Sequence, residues 1–406
     1  MKLLISSYCP LTISGYSNQI KQIIKGLYQY NSEIEIGIIC WDIPEKIIKY
    51  SSQYYSFDKL CNLLKLNYKN NPDYNIYQNI KFYFCGEKGN YWEKINTFNQ
   101  DFKCDKLLVY QDIWVFEKYD ISKINCEKYL YLPIHDDFRE NKLLNLEKSN
   151  NINLHVNTLQ HLPYFDKLST FSKFGIEVLK SYNYESTFIN HIIHKKTYEI
   201  TKEEARKQYN INQDFFICLM IARNGEPGDR KAFVQQFTGF RLFLNQLNDT
   251  EKSRCRLLLH ENNTFSLEGG AINLKEIANQ LQIEPYIIMT DKTFTQEQHI
   301  INLFKLSDVL LCASKSEGFG MPMVESQIYG TPVITCNNTS MPENTYLGIC
   351  TEPKDISNTI HGINSWSNPC PNNISEAIQY FYNKKYNKYM FLKLWFMFFK
   401  YNTFFI

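Results

Sequence analysis

Short, nearly uninterrupted apolar runs alternate along the chain with longer stretches whose apolar residues recur every three or four positions. KLLIS (2–6), EIGII (35–39), KFYFC (81–85), KLLVY (106–110) and KYLYL (128–132) are runs of the first kind. They read as strands covered on both faces. The segment from about Asn18 to Tyr30 reads as a helix. After Lys180 the alternation restarts with FFICLMI (215–221), CRLLLH (255–260), YIIMT (286–290), DVLLCA (308–313) and TPVIT (331–335). Helical patterns lie between these runs at 230–247, 271–281, 296–306 and 322–329. Strand–helix alternation with continuous apolar strands predicts an α/β chain of parallel sheets. Two such runs predict two Rossmann-like, doubly wound domains. The joint falls in the polar, broken segment near 183–200. This gives an N-terminal domain over 1–185, a C-terminal domain over 186–370, and a terminal helix with an aromatic tail over 371–406. Open α/β sheets bind ligands at the carboxyl ends of their strands, so two facing domains predict a cleft between them.

Composition narrows the partners. A chain of 406 residues suits two domains, and a net charge of +2 gives no reason to expect nucleic acid or an anionic membrane as a bulk partner. Twelve cysteines are scattered without a CxxC pair. That pattern fits unpaired thiols in a reducing compartment and predicts a cytoplasmic protein. The opening MKLLISSYCP has too short an apolar run for a secretory signal and reads as a first strand. The tail YMFLKLWFMFFKYNTFFI is interrupted by Lys393 and Lys400 and is too short to span a bilayer. It reads as a peripheral membrane contact, a helix packed on the fold, or drifted sequence.

The densest candidate chemistry is SKSEGFGMPMVESQIYGTPVI, Ser314 to Ile334. A buried strand ends at Ser314. Pro322 suits the first turn of a helix, Gly330 ends that helix, and TPVIT is the next strand. Gly318 and Gly320 permit a tight turn. The helix amides around Met321 to Val324 lack internal partners and form an anion site. Glu317 stands before that site and Glu325 one turn inside the helix, so carboxylates flank it and can accept sugar hydroxyls. The plain alternative is a helix cap with glutamates placed to suit the dipole. A second cluster, ARNGEPGDRKAF, puts Arg223, Arg230 and Lys231 after another strand of the same sheet. Cations there complement a diphosphate.

These segments resemble the family-4 retaining glycosyltransferases of the GT-B fold. The glutamate–seven residues–glutamate spacing is matched by Glu317 and Glu325, and ARNGEPGDRKAF resembles that family's phosphate clamp. FINHIIHKKTY (188–198) is similar to its interdomain turn, with Asn190 and Ile192 replacing the usual proline and glycine. PLTISGYSNQI (10–20) resembles its first glycine loop. The resemblance implies that Glu325 holds the ribose hydroxyls of a nucleoside diphosphate sugar. It implies that Glu317, with Gly318, Phe319, Gly320 and Met321, contacts the transferred sugar and phosphate. Arg223 and Lys231 would neutralise the leaving diphosphate, and Gly15 would let the first loop approach donor or acceptor. In YLPIHDDF (131–138), His135 is the candidate beside the reacting face, with Asp136 next; a plain loop histidine is the competing reading. His191 and His260 are weaker candidates.

The expected activity is retaining transfer of a sugar to an acceptor hydroxyl on a glycan, a lipid-linked sugar or a protein. Its only cosubstrate is the nucleotide sugar. It needs no other cofactor and, lacking a convincing DxD-type motif, no metal. The alternatives are a sugar-nucleotide-binding protein without turnover, or another GT-B enzyme such as a nucleotide-sugar epimerase.

Overall fold

Two compact units follow one another along the chain, Met1–His194 and Lys195–Ile406. The structure is a computed structural model. It describes residues 1–12, 14–43, 54–68, 73–85, 91–112, 121–135, 161–193, 195, 198–225, 228–260, 271–290, 297–358 and 365–386. Asp136 and the aromatic tail beyond 386, with its expected membrane contact, lie outside the described residues.

In the first unit the strands are β1 (Lys2–Ser7), β2 (Glu35–Cys40), β3 (Lys81–Phe84), β4 (Lys106–Tyr110), β5 (Glu127–Tyr131), β6 (Lys167–Thr170) and β7 (Thr187–Phe188). They form one sheet in the order β3-β2-β1-β4-β5-β6-β7. Every pairing in it is parallel, as the continuous apolar strands require. Leu4, Ile39, Tyr83, Leu107, Val109 and Leu130 from the strands pack with Phe98 and Phe102 from the helix Tyr91–Phe102. The first helix, Gly15–Tyr30, starts earlier than its apolar spacing suggests, because Ser14 caps it by accepting from the Ser17 amide.

The units divide nine residues beyond the sequence-based boundary. Strand β7 pairs with β6, and residues up to Ile192 are bound to the first unit. Gln19 brackets Ile192, donating to its carbonyl at 3.0 Å and accepting from its amide at 2.9 Å. His191 is buried against Phe171, Tyr110 and Tyr131. Tyr131 Oη donates to the Ile189 carbonyl, so His191 Nδ1–H donates to Tyr131 and Nε2 accepts from Tyr110. Burial pushes His191 down to about 3, which keeps it neutral. This histidine is therefore a core residue.

The second unit repeats the plan with β8 (Phe216–Ile221), β9 (Cys255–His260), β10 (Ile287–Met289), β11 (Val309–Leu311), β12 (Val333–Cys336) and β13 (Gly348–Thr351). Their order is β10-β9-β8-β11-β12-β13, again all parallel. In both units the strand order reverses once, between β1 and β4 and between β8 and β11. An antiparallel hairpin, β14 (Pro353–Asn358) with β15 (Ser365–Pro369), follows the second sheet. The helix Pro371–Tyr386 then packs on the helix Phe233–Asn245. Gly239 makes the approach close: a Cβ there would lie 2.6 Å from Ile374 Cγ2.

One buried ion cluster ties the C-terminal helix to the sheet. Asp308, just before β11, meets Lys202 Nζ at 2.6 Å, an Arg206 NH2 at 2.8 Å and Lys385 Nζ at 3.1 Å. It also accepts from the Ile217 amide at 2.7 Å. Burial would raise the Asp308 carboxyl, but the three cations outweigh it and hold the group below the usual carboxylate range. Burial likewise pushes Lys385 down to about 8. The cluster joins the helix Lys202–Gln208, β8, β11 and the C-terminal helix at the amino edge of the sheet.

Candidate active site

At the opposite, carboxyl edge of the second sheet, the loops leaving β8 and β11 lie side by side at the point where the strand order reverses. That is where open α/β sheets bind ligands. The two loops are bonded together. The Lys315 amide donates to the Arg230 carbonyl at 2.8 Å, an Arg230 NH1 donates to the Ser316 carbonyl at 2.7 Å, and Lys315 Nζ donates to the Gly228 carbonyl at 2.8 Å. Gln236 completes the seam, donating to the Lys231 carbonyl at 2.8 Å and accepting from the Ala313 amide at 3.1 Å.

The β8 loop is shaped to present its cations. Asn224 is clasped to Ile272 through both its oxygen and its nitrogen. Asp229 accepts from the amides of Phe233 and Val234 and so caps the helix Phe233–Asn245. Ala232 sits in the left-handed region at φ 53°. For an alanine this costs about 1–2 kcal/mol. The surrounding hydrogen bonds offset that strain and fix Lys231, the residue before it.

Lys231 Nζ lies 2.6 Å from Glu317 Oε1, which also accepts from Ser314 Oγ at 2.7 Å. Arg230 NH1 faces Glu317 Oε2 at 3.5 Å. Burial is the largest influence on Glu317 and pushes its pKa up. Lys231 and Arg230, with the hydrogen bonds from Lys231 and Ser314, outweigh burial and leave the carboxyl below its usual range. Glu317 is thus an ionised group, not a raised-pKa acid. Both its oxygens face protein partners, so its side chain holds the two cations in place. The expected contact with a transferred sugar is not its only task.

The turn after Glu317 is held from behind. Thr339 Oγ1 accepts from the Glu317 amide, Ser340 Oγ donates to the Glu317 carbonyl, and Asn344 Nδ2 donates to the carbonyl of buried Phe319. Gly320 has φ 82°, and a Cβ there would sit 2.7 Å from Met323 Cε. Gly320→Ala is therefore expected to cost about 1–3 kcal/mol, measured as a lower urea midpoint for the second unit. The helix Met321–Ile328 follows, with proline in its first turn as expected. Its start offers fewer donors than expected, because the amides of Met323 and Val324 both bond to the Gly320 carbonyl. Gly318 and Met321 lie half-buried in this turn, and Glu325 is half-buried on the helix.

Of the other candidates, Arg223 stands exposed just beyond β8, where a Cβ on Gly225 would lie 3.3 Å from its Nε. It is not among the partners of Glu317. Arg230 is the cation that joins Lys231 there; the sequence placed it in the cation cluster, but the resemblance gave the leaving-group role to Arg223 and Lys231. The adjacent Arg-Lys pair was the signal available. His260, at the end of β9, bonds Thr290 Oγ1 at 2.7 Å, and burial lowers its pKa.

In the first unit Gly15 is the exposed first residue of its helix, at the carboxyl end of β1. His135, beyond the end of β5, places Nδ1 4.0 Å from an oxygen of Asp112. The same oxygen accepts from Tyr16 Oη at 2.7 Å, and Tyr16 stacks on Tyr8. Asp112 follows β4 without any motif to mark it, and only the parallel pairing of β4 with β5 shows that it meets His135.

Comparison with known proteins agrees with this layout. Residues 201–379 match the family described as Glycosyl transferases group 1. The match lies wholly within the second unit. The matched span includes both strand-end loops of this unit and most of its C-terminal helix. No curated protein matched the sequence. Solved structures match across both units, and the fold is GT-B. Sucrose-phosphate synthase from Thermosynechococcus elongatus aligns at TM-score 0.59 and 12% identity, covering 98% of this chain and 99% of that one. HepE from Anabaena, in complex with UDP and glucose, aligns at TM-score 0.58 and 12% identity, covering 94% and 89%. A glycosyltransferase from Rickettsia africae aligns at TM-score 0.55 and 14% identity, covering 94% and 88%. At such identities the likeness shows the fold alone.

Proposed function

We propose that the protein is a retaining glycosyltransferase that moves a sugar from a nucleoside diphosphate sugar to an acceptor hydroxyl. The observation that supports this most is the meeting of Lys231 and Arg230 at Glu317, directly before the Gly320 turn, at the strand-order reversal of the unit that matches a glycosyltransferase family. As the glycosidic bond breaks, negative charge grows on the departing diphosphate. Cations already fixed in place stabilise it without reorganising. The protein supplies that positive charge, so this reading calls for no metal and no cofactor beyond the donor. Glu317, ionised and buried, keeps the lysine and arginine aimed. Glu325 holds the ribose hydroxyls, Arg223 adds charge at the end of β8, and the amides from Gly318 to Met321 meet phosphate or sugar. In the first unit, His135 with Asp112 serves the reacting face of the sugar, and Gly15 lets the first loop approach donor or acceptor. Retention of configuration rests on the resemblance of the paired-glutamate motif. The acceptor is a glycan, a lipid-linked sugar or a protein.

The test is a panel of UDP-, GDP- and ADP-sugars, scored first for thermal stabilisation and then for nucleotide release with the product anomer read by NMR. UDP-glucose comes first, because HepE was solved with UDP and glucose. One donor is expected to stabilise the protein and be consumed with retention. Binding with no release in the presence of any acceptor would make it a sugar-nucleotide-binding protein instead. Glu325→Ala is expected to weaken binding of that donor about 10-fold or more, the scale of one or two lost hydrogen bonds. Unchanged affinity by calorimetry would remove Glu325 from the ribose.

A further inference from the structure

Twelve cysteines are all unpaired, and most are buried. Two differ from the rest in their surroundings. Cys104 and Cys126 enter β4 and β5 side by side at the amino edge of the first sheet. Lys106 pairs with Glu127, and the Glu127 amide donates to the Asp105 carbonyl at 3.2 Å. Cys104 is anchored by its own amide, which donates to Asn99 Oδ1 at 2.9 Å. Its thiol is hydrogen-bonded to that of Cys126. Cys126 is half-buried, whereas Cys104 lies behind it in the core. Lys128 reaches back to the Cys126 carbonyl at 3.0 Å and places a cation nearby.

Three features needed for a reversible disulfide therefore coincide: a thiol that solvent can reach, a second thiol in contact with it, and a cation to favour the thiolate. We propose that Cys104 and Cys126 form a reversible disulfide that joins the starts of β4 and β5. The hydrogen bond from Cys104, helped by Lys128, holds the Cys126 thiol below its ordinary value, while Cys104 keeps its proton. Cys126, the thiol that solvent reaches, is the attacking group, and Cys104, behind it in the core, the resolving one. With glutathione disulfide as oxidant, the Cys126 thiolate attacks one glutathione sulfur. A mixed disulfide forms and one glutathione thiolate leaves. Cys104 then passes its proton to that thiolate and attacks the Cys126 sulfur, which expels the second glutathione. Two protein thiols are oxidised and one glutathione disulfide is reduced to two thiols.

The other close thiols make the contrast. Cys9 and Cys40 are also hydrogen-bonded to each other, but both are fully buried and burial raises Cys40. They have contact without access. The Cys104–Cys126 bridge would fix the register of β4 on β5, the two strands that lead into Asp112 and His135. This inference stands apart from the proposed glycosyl transfer, since it concerns the opposite edge of the first sheet.

The experiment uses the full chain, reduced and then equilibrated in glutathione buffers of rising disulfide fraction. Thiols are trapped with an alkylating agent at low pH and mapped by mass spectrometry. The expected product is a single Cys104–Cys126 cross-linked peptide that dithiothreitol reverses, with two of the twelve thiols lost to titration. Cys104→Ser should stall as a glutathione adduct on Cys126. Cys126→Ser should leave Cys104 unmodified. An adduct persisting on Cys126 in the unsubstituted protein, a bridge between any other pair, or thiols that stay free at every ratio would each overturn the proposal. An adduct on Cys104 in the Cys126→Ser protein would overturn the assignment of the attacking thiol. None of these readouts depends on donor, acceptor or turnover.

Discussion

Lys231→Ala is expected to lower kcat about 100- to 1,000-fold at saturating donor, the usual effect of removing one preorganised stabiliser of developing charge. The ammonium is fixed 2.6 Å from Glu317 and its backbone is held by Gln236. It therefore meets the leaving diphosphate without first paying to be ordered. Arg230, at 3.5 Å from the same carboxylate, remains in the variant. It preserves part of the donor affinity, so the loss should fall more on kcat than on donor KM. The substitution also leaves Glu317 with a weaker set of partners in a buried place. A stability cost of about 1–3 kcal/mol is expected on that account. Steady-state kinetics beside urea unfolding separates the two effects. A variant that is less stable yet turns over normally would remove Lys231 from the leaving group.

Asp308→Asn should produce the largest loss of stability in the second unit, about 3–5 kcal/mol, because it strands three cations around an uncharged side chain. Lys202, Arg206 and Lys385 all converge on the Asp308 carboxylate. Arg206 is among the most deeply buried large side chains of the described residues and cannot turn to water. By the same reasoning Lys385→Met should be nearly neutral, since it removes one of the surplus charges. The folded-state pKa of Asp308 lies below its ordinary value. Its contribution is therefore fully present above the unfolded carboxylate range and is lost as pH falls through the depressed folded value. The Asn variant should lack that part of the acid dependence. Urea midpoints from neutral to acid pH, read on all three proteins, check these outcomes together. An Asn variant as stable as the unsubstituted chain would mean that the cluster is not a determinant of the fold.

Much of this architecture was legible in the sequence, because buried parallel strands announce themselves as continuous apolar runs. β4 and β9 fall on KLLVY and CRLLLH, and the turn from Glu317 through Pro322 into a helix was readable from residue types. Polar strands gave no such signal. β6 is KLST and β7 only TF, so both were missed. With them went the reason that residues 186–193 belong to the first unit. The site was legible as residue types but not as pairings. Motif spacing gathers Glu317 and Lys231 into one neighbourhood. It cannot show that they bond each other, that Arg230 replaces Arg223 at that carboxylate, or that the Gly320 carbonyl takes two helix amides. Those facts depend on parallel strands β8 and β11 being neighbours, although some ninety residues apart in sequence, and on an alanine held at positive φ.

The central claim is that the loops after β8 and β11 form a diphosphate grip centred on Lys231. Calorimetric titration of the unsubstituted protein and of Lys231→Ala, each with the nucleoside diphosphate and the monophosphate of the base found by the donor panel, tests it most directly. The account predicts that the diphosphate binds the unsubstituted protein more tightly than the monophosphate, and that Lys231→Ala removes most of that difference. An equal difference in both proteins, or none in either, would contradict it.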